Sequence, residues 1–152
     1  MNLFSISAAM ALAASITTTT APDWRWQGTA DQIDIDLVQA DVRIIEMPAE
    51  PSVRIQRAGP DAGVVTFTAV SAAGVTHIRD RYPDRGRWSR ECLPPADERG
   101  DFWAYSTRLK VTVSVPPGTP LRVRVMRGNI HAAGASRLLD LGSGDGIVER
   151  GR

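Results

Sequence analysis

From Gln32 onward apolar side chains recur at every second position, the period of a strand with one buried face. Ile33, Ile35 and Leu37 alternate with Asp34, Asp36 and Val38, and Val42 and Ile44 continue the rhythm. After a break from Pro48 to Pro51, Val53 and Ile55 repeat it. Further β-prone runs follow from Gly63 to Val70 and from Gly74 to Arg79. The two most regular runs come late, Arg108 to Val115 and Leu121 to Met126. Between them Pro116-Pro117-Gly118-Thr119-Pro120 is a turn with three positions that cannot donate to a ladder. No stretch beyond the N-terminal segment offers ten residues at the helical period, so the pattern predicts an all-β chain.

Residues 79–104 interrupt the alternation with Arg, Asp, Pro and Gly, and they carry Trp88 and Trp103. A loop of that length in a compact domain is the first place to look for a site. Further on, Arg127-Gly128-Asn129-Ile130 is followed by Gly134, and sixteen or seventeen residues later Ser143-Gly144-Asp145-Gly146-Ile147 is followed by Gly151. Each unit reads as an alternating strand, a Gly with Asn or Asp that turns the chain, and a short strand. A unit of that size cannot bury its apolar face alone, and stacking the next one on it is the economical solution. The expected fold is a short β-solenoid (β-helix-like) or a stacked β-sheet sandwich.

The start of the chain reads differently. Residues 1–21 hold no charged side chain, and the apolar run from Ile6 to Ile16 is too short to span a bilayer. With the small residues of Ala11-Leu12-Ala13, it reads as a cleavable signal helix, residues 1–13. Residues 14–31 are then expected to be a linker and 32–152 a single domain. Export to the periplasm or cell surface follows from that reading. It puts Cys92, the lone cysteine, in an oxidising compartment, either buried or available for intermolecular pairing. The net charge is +1, and the basic residues, all Arg except Lys110, alternate with acids instead of gathering in a stripe. That excludes a nucleic-acid binder of the usual basic kind.

The strand from Leu109 to Val115, Pro116-Pro117-Gly118, the strand from Leu121 to Val125, and the Gly-Asn-Ile and Gly-Asp-Gly-Ile turns resemble the bacterial putative-adhesin family, a domain of unknown function. In that family a strand, Pro-x-Gly, strand, Ser-Gly-Asp-Val pattern recurs and winds into a β-helix-like stack. Ala40-Asp41-Val42-Arg43-Ile44 resembles its opening rung, with Ala40 where Gly is usual. The resemblance implies a fold and a surface role, not a reaction. The family pattern continues through further rungs, whereas Arg152 ends this one, so an open C-terminal edge and self-association through it are expected.

Candidate chemistry is sparse. His77 and His131 are the only imidazoles, each placed as a partly exposed strand residue. Cys92 is flanked by Glu91, Leu93, Pro94 and Pro95, which supply no helix N-terminus to activate a thiol. Two His and one Cys make no structural zinc set, and Gly142-Ser143-Gly144-Asp145-Gly146 lacks the second acidic repeat of a calcium roll. No metal, cofactor or catalytic set is therefore expected. For ligand binding the candidates are Trp88, Trp103 and Tyr105 as stacking surfaces, with Arg85, Arg87 and Arg90 to pair with an envelope glycan or protein. The competing reading makes Phe102, Trp103 and Tyr105 a plug over the end of the sheet. The sequence thus points to an exported, non-enzymatic structural or adhesin-like protein of the cell envelope. Its alternative is a carbohydrate-binding or carbohydrate-active β-helix protein, and Asp34 and Asp36 on one strand face would be that enzyme's acids.

Overall fold

The computed structural model describes residues 22–84, 99–133 and 139–151. The described chain is all-β. Its strands are β1 (Trp24–Gln27), β2 (Gln32–Glu46), β3 (Ser52–Ala58), β4 (Thr66–Ala72) and β5 (Val75–Arg81), followed by β6 (Arg108–Val115), β7 (Leu121–Arg127), β8 (Ile130–Ala133), β9 (Leu139–Asp145) and β10 (Val148–Arg150). A single 3-10 turn, Phe102–Ala104, precedes β6. Residues 1–13, read as the signal helix, lie outside the described residues. Trp24–Gln27, within the span expected to be linker, instead pairs as β1 with β3 and packs Trp24 and Trp26 against the core.

The strand β2 organises everything else, because its fifteen residues serve two sheets. Its first half pairs in parallel with β5 on one side and β7 on the other, and β4 and β9 extend this sheet B outward. Its second half pairs in parallel with β6 and β8, and β3, β1 and β10 extend sheet A. The inward residues of both halves, Ile33, Ile35 and Leu37 with Val42 and Ile44, join those of the neighbouring strands in one core. Each fully buried Val, Leu or Ile of this set contributes roughly 1.5–3 kcal/mol.

Two later rows repeat the path of β2. Residue β7-Leu121 stands beside Ile33 and beside β9-Leu139, and β8-Ile130 stands beside Val42 and beside β10-Val148. The repeat is therefore eighteen residues long, as the pairing of Leu121 with Leu139 fixes. It is not the sixteen or seventeen read from the turn motifs, because the counterpart of Gly128 is Gly146, while Gly144 lies inside β9. On the other side of β2 the stack is mixed: β5 and β6 run parallel to it, but β3 and β4 run antiparallel to them.

Where the rows pass from sheet B to sheet A, the backbones approach closely. A Cβ on Gly128 would stand 1.9 Å from the Ala40 carbonyl oxygen, and one on Gly146 would stand 2.0 Å from that of Gly128. Gly128 and Gly146 also hold φ of +128° and +155°. Polar side chains bind the same corner. The Asn129 N–H donates to Asp41 Oδ1 at 3.1 Å, and the Ile147 N–H donates to Asn129 Oδ1 at 3.0 Å. The Pro-Pro-Gly segment is a type II turn, with Thr119 N–H donating to the Pro116 oxygen and Gly118 at φ +85°. It carries the chain from β6 in sheet A, where Val115 stands beside Glu46, to β7 in sheet B, where Leu121 stands beside Ile33.

Candidate functional site

The outer face of sheet B is a grid of charges set by strand register. One row across the strands reads Val70, His77, Asp34, Arg122, Asp140, and the next reads Thr68, Arg79, Asp36, Arg124, Gly142. Each carboxylate here meets a cation or a donor. Asp36 pairs with Arg99, and Asp34 accepts from Gln32 Nε2 at 2.6 Å with His77 Nδ1 at 3.6 Å. Asp140 takes both Nη2 contacts of Arg124 at 2.8 Å, and this hydrogen bond leads the causes that hold its carboxyl below the ordinary range. Gly142 leaves room for that guanidinium, since a Cβ there would stand 3.1 Å from Arg124 Cδ. In sequence Asp34 and Asp36 have no basic partner. The structure brings His77 to Asp34 through the parallel register of β5, and Arg99 to Asp36 from outside the strands.

At the bend of β2 a carboxylate replaces a strand. Sheet B loses β5 at Arg81, and β6 does not begin until Arg108, so the Val38 N–H has no ladder partner there. Asp80 Oδ2 takes it at 2.9 Å and also accepts from Tyr82 Oη at 3.1 Å. Asp80 is 1% exposed and its Oδ1 has no hydrogen-bond partner. Burial dominates its titration and pushes the carboxyl up to about 6, against the opposing pull of the Val38 N–H, Arg99 and Tyr82. The Tyr82 hydroxyl is raised far above its ordinary value, first by burial and then by the adjacent Asp80, so it is a neutral donor. Around this bend Val38, Val65, Tyr82 and Phe102 form a second, smaller apolar cluster. Val38 was expected on the solvent side with Asp34 and Asp36, and the bend of β2 buries it instead.

Of the residues expected to bind a ligand, Trp88, Arg85, Arg87 and Arg90 lie outside the described residues, as does Cys92. The two that are described belong to the bend. The Trp103 ring stands 4.4 Å from that of Phe102 and stays 43% exposed, and Tyr105 lies 6.0 Å from Tyr82. These described aromatics pack beside the β2 bend. The two histidines sit on opposite faces, His77 on sheet B and His131 on sheet A. Among the described residues, no group of three His, Cys, Asp or Glu is placed to hold a metal ion.

The outer face of sheet A is different in kind. An open groove of about 520 Å³ crosses β3, β6, β2 and β8, with Gln56, Lys110, Thr112, Arg43, Asn129 and His131 along it. Its one carboxylate, Asp41, is occupied. Asp41 Oδ2 receives Arg108 Nε and Nη2, each at 2.9 Å, while Oδ1 holds the Asn129 N–H. Burial raises this carboxyl, but the Asn129 N–H and Arg108 together outweigh it and leave it below its ordinary value. Among the described residues Arg43 makes no side-chain hydrogen bond or ion pair, and Lys110 reaches Asp41 only as a through-space charge. The groove went unseen in the sequence because its side chains come from four segments. The only local sign was the outward parity of Arg43, Lys110 and Thr112 in their strands.

No protein-family model and no curated protein matches the chain. Among solved structures it is similar to a putative cell adhesion protein from Clostridium sporogenes, at 9% identity and a TM-score of 0.49, over 84% of this chain and 58% of that one. It is also similar to a putative lipid binding protein from Parabacteroides distasonis, at 11% identity and a TM-score of 0.34, over 80% of this chain and 51% of that one. The chain thus spans little more than half the length of either protein.

Proposed function

We propose that the chain is an exported cell-envelope protein that acts as a structural or adhesin-like interaction module, without catalytic activity. The reading rests on the contrast between its two outer faces. On sheet B the carboxylates that an acid–base mechanism would use are tied up by Arg99, Gln32 and Arg124. On sheet A, among the described residues, Arg43, Lys110 and Gln56 carry no side-chain hydrogen bond or ion pair. A glycoside hydrolase needs one carboxyl kept protonated and a second free to attack or to activate water. Asp36 in its ion pair with Arg99 is poorly prepared for either part. The rival reading, a carbohydrate-active enzyme working through Asp34 and Asp36, is separated by one assay. Purified protein is incubated with envelope polysaccharide, and both co-sedimentation and release of new reducing or unsaturated ends are followed. Retention without release is expected. Release that disappears in Asp34→Asn or Asp36→Asn would overturn the proposal.

A further inference from the structure

Resting on the non-catalytic reading above, we infer that the groove on the outer face of sheet A binds an acidic polysaccharide, with Arg43 and Lys110 pairing with its carboxylates. The first argument is charge. Among the groove's lining residues Arg43 and Lys110 are cationic and Asp41 alone is anionic, and Asp41 is already held by Arg108. Among the described residues the two remaining cations make no ion pair, Lys110 reaching Asp41 only through space, and they are exposed on adjacent strands, two residues out of register. Register continues the positive row outward from Arg43 through Thr112 to Arg54 and Arg25, of which Arg54 is tied to Asp23.

The second argument is the neutral lining. Gln56, Thr112 and Asn129 offer donors and acceptors together, which is what sugar hydroxyls require, while His131 Nδ1 stands 3.2 Å from Glu149 Oε2 at the edge of the groove. The oxygen of Asn129 is taken by the Ile147 N–H, so its amide NH2 is turned to donating. The third argument is shape. The groove is open and crosses four strands about 4.8 Å apart, which suits an extended polymer better than a small enclosed anion. Among the described residues no Trp, Tyr or Phe ring lines it on which a neutral sugar or a nucleobase could stack. Charge-assisted hydrogen bonds must then supply the attraction, and this favours a glycan that carries carboxylates.

The test uses the purified full chain and three probes: polygalacturonate, dextran of similar length, and duplex DNA, by calorimetry at low and at physiological ionic strength. Polygalacturonate is expected to bind, more weakly as salt screens the contacts. The Arg43→Gln/Lys110→Gln double variant should lose about tenfold or more in affinity, while Arg122→Gln on sheet B should change it less than about twofold. Thr112→Glu, which adds a negative charge and removes no cation, should give a comparable loss and serves if the double variant does not fold. Dextran bound as well as polygalacturonate, DNA bound as tightly, equal losses from Arg122→Gln, or no binding of polygalacturonate would each overturn the inference. Failure of the underlying reading looks different, because it appears as new sugar ends released from the polymer and not as a change in affinity.

Discussion

The most demanding prediction concerns Asp80, a carboxylate that the fold buries without satisfying both its oxygens. Its carboxyl moves from 3.8 to about 6 on folding, chiefly through burial. At about 1.36 kcal/mol for each tenfold change in proton affinity, the charged form carries a penalty of about 3 kcal/mol in the folded state. Because the folded carboxyl is raised, the native state binds the extra proton between pH 3.8 and about 6, and stability from this group falls as pH rises across that window. In Asp80→Asn the amide oxygen can keep the Val38 N–H and the Tyr82 hydroxyl. The amide NH2 replaces the unpartnered Oδ1 and costs about 1–3 kcal/mol. Near pH 7 the variant should therefore equal the parent or exceed it by up to about 2 kcal/mol. Near pH 4 it should be the less stable of the two. Urea unfolding of both proteins, followed by tryptophan fluorescence from about pH 4 to pH 7.5, measures the difference directly. A stability difference that stays flat across that range would refute the argument, since only a titrating Asp80 can produce the slope.

Three further predictions follow from the corners and the bend. Gly128→Ala should destabilise by about 3 kcal/mol or more in the same unfolding assay, as strain from positive φ adds to a Cβ driven onto the Ala40 carbonyl; Gly63→Ala, which meets nothing within 4 Å, should be nearly silent. Asp41→Ala should cost about 1–2 kcal/mol near neutral pH by removing the acceptor of Asn129 N–H and the partner of Arg108. Since the Asp41 carboxyl is lowered, that contribution is present above pH 3.8 and should vanish as pH falls through its folded value, the opposite sense to Asp80. At the bend, Phe102→Ala should cost about 3–5 kcal/mol and lower the thermal midpoint, whereas the half-exposed Trp103→Ala should cost less than half as much.

Much of the fold was legible residue by residue. Alternation marked the inward set of β2, β6 and β7, and all of Ile33, Ile35, Leu37, Val111, Val113 and Val123 are buried. The Pro-Pro-Gly turn and the glycine corner at Gly128 also stood where their residues required. Boundaries moved where local signals conflicted. The run expected from Gly63 becomes strand only at Thr66, because residues 61–64 form a turn, and Val65 joins the cluster at the bend. Of the candidate site only the outward parity of Arg43, Lys110 and Thr112 was legible. Arg43, Lys110 and His131 meet only because β2 pairs with β6 and with β8, and nothing in the spacing of the three residues states that pairing.

Taken alone, the sequence determined which segments are strands, which side chains on each strand face inward, and where glycine or proline must turn the chain. These are local properties, written into side-chain parity and backbone sterics. Only the tertiary structure decided which strands are neighbours. It placed β2, early in the chain, at the centre of both sheets, matched Asp36 with Arg99, left Asp80 to stand in for a missing strand, and gathered the sheet A groove. Period-two patterning assigns each side chain to a face but is indifferent to what lies beside it, so register, charge pairing and the groove emerge only when distant strands compete for the same core.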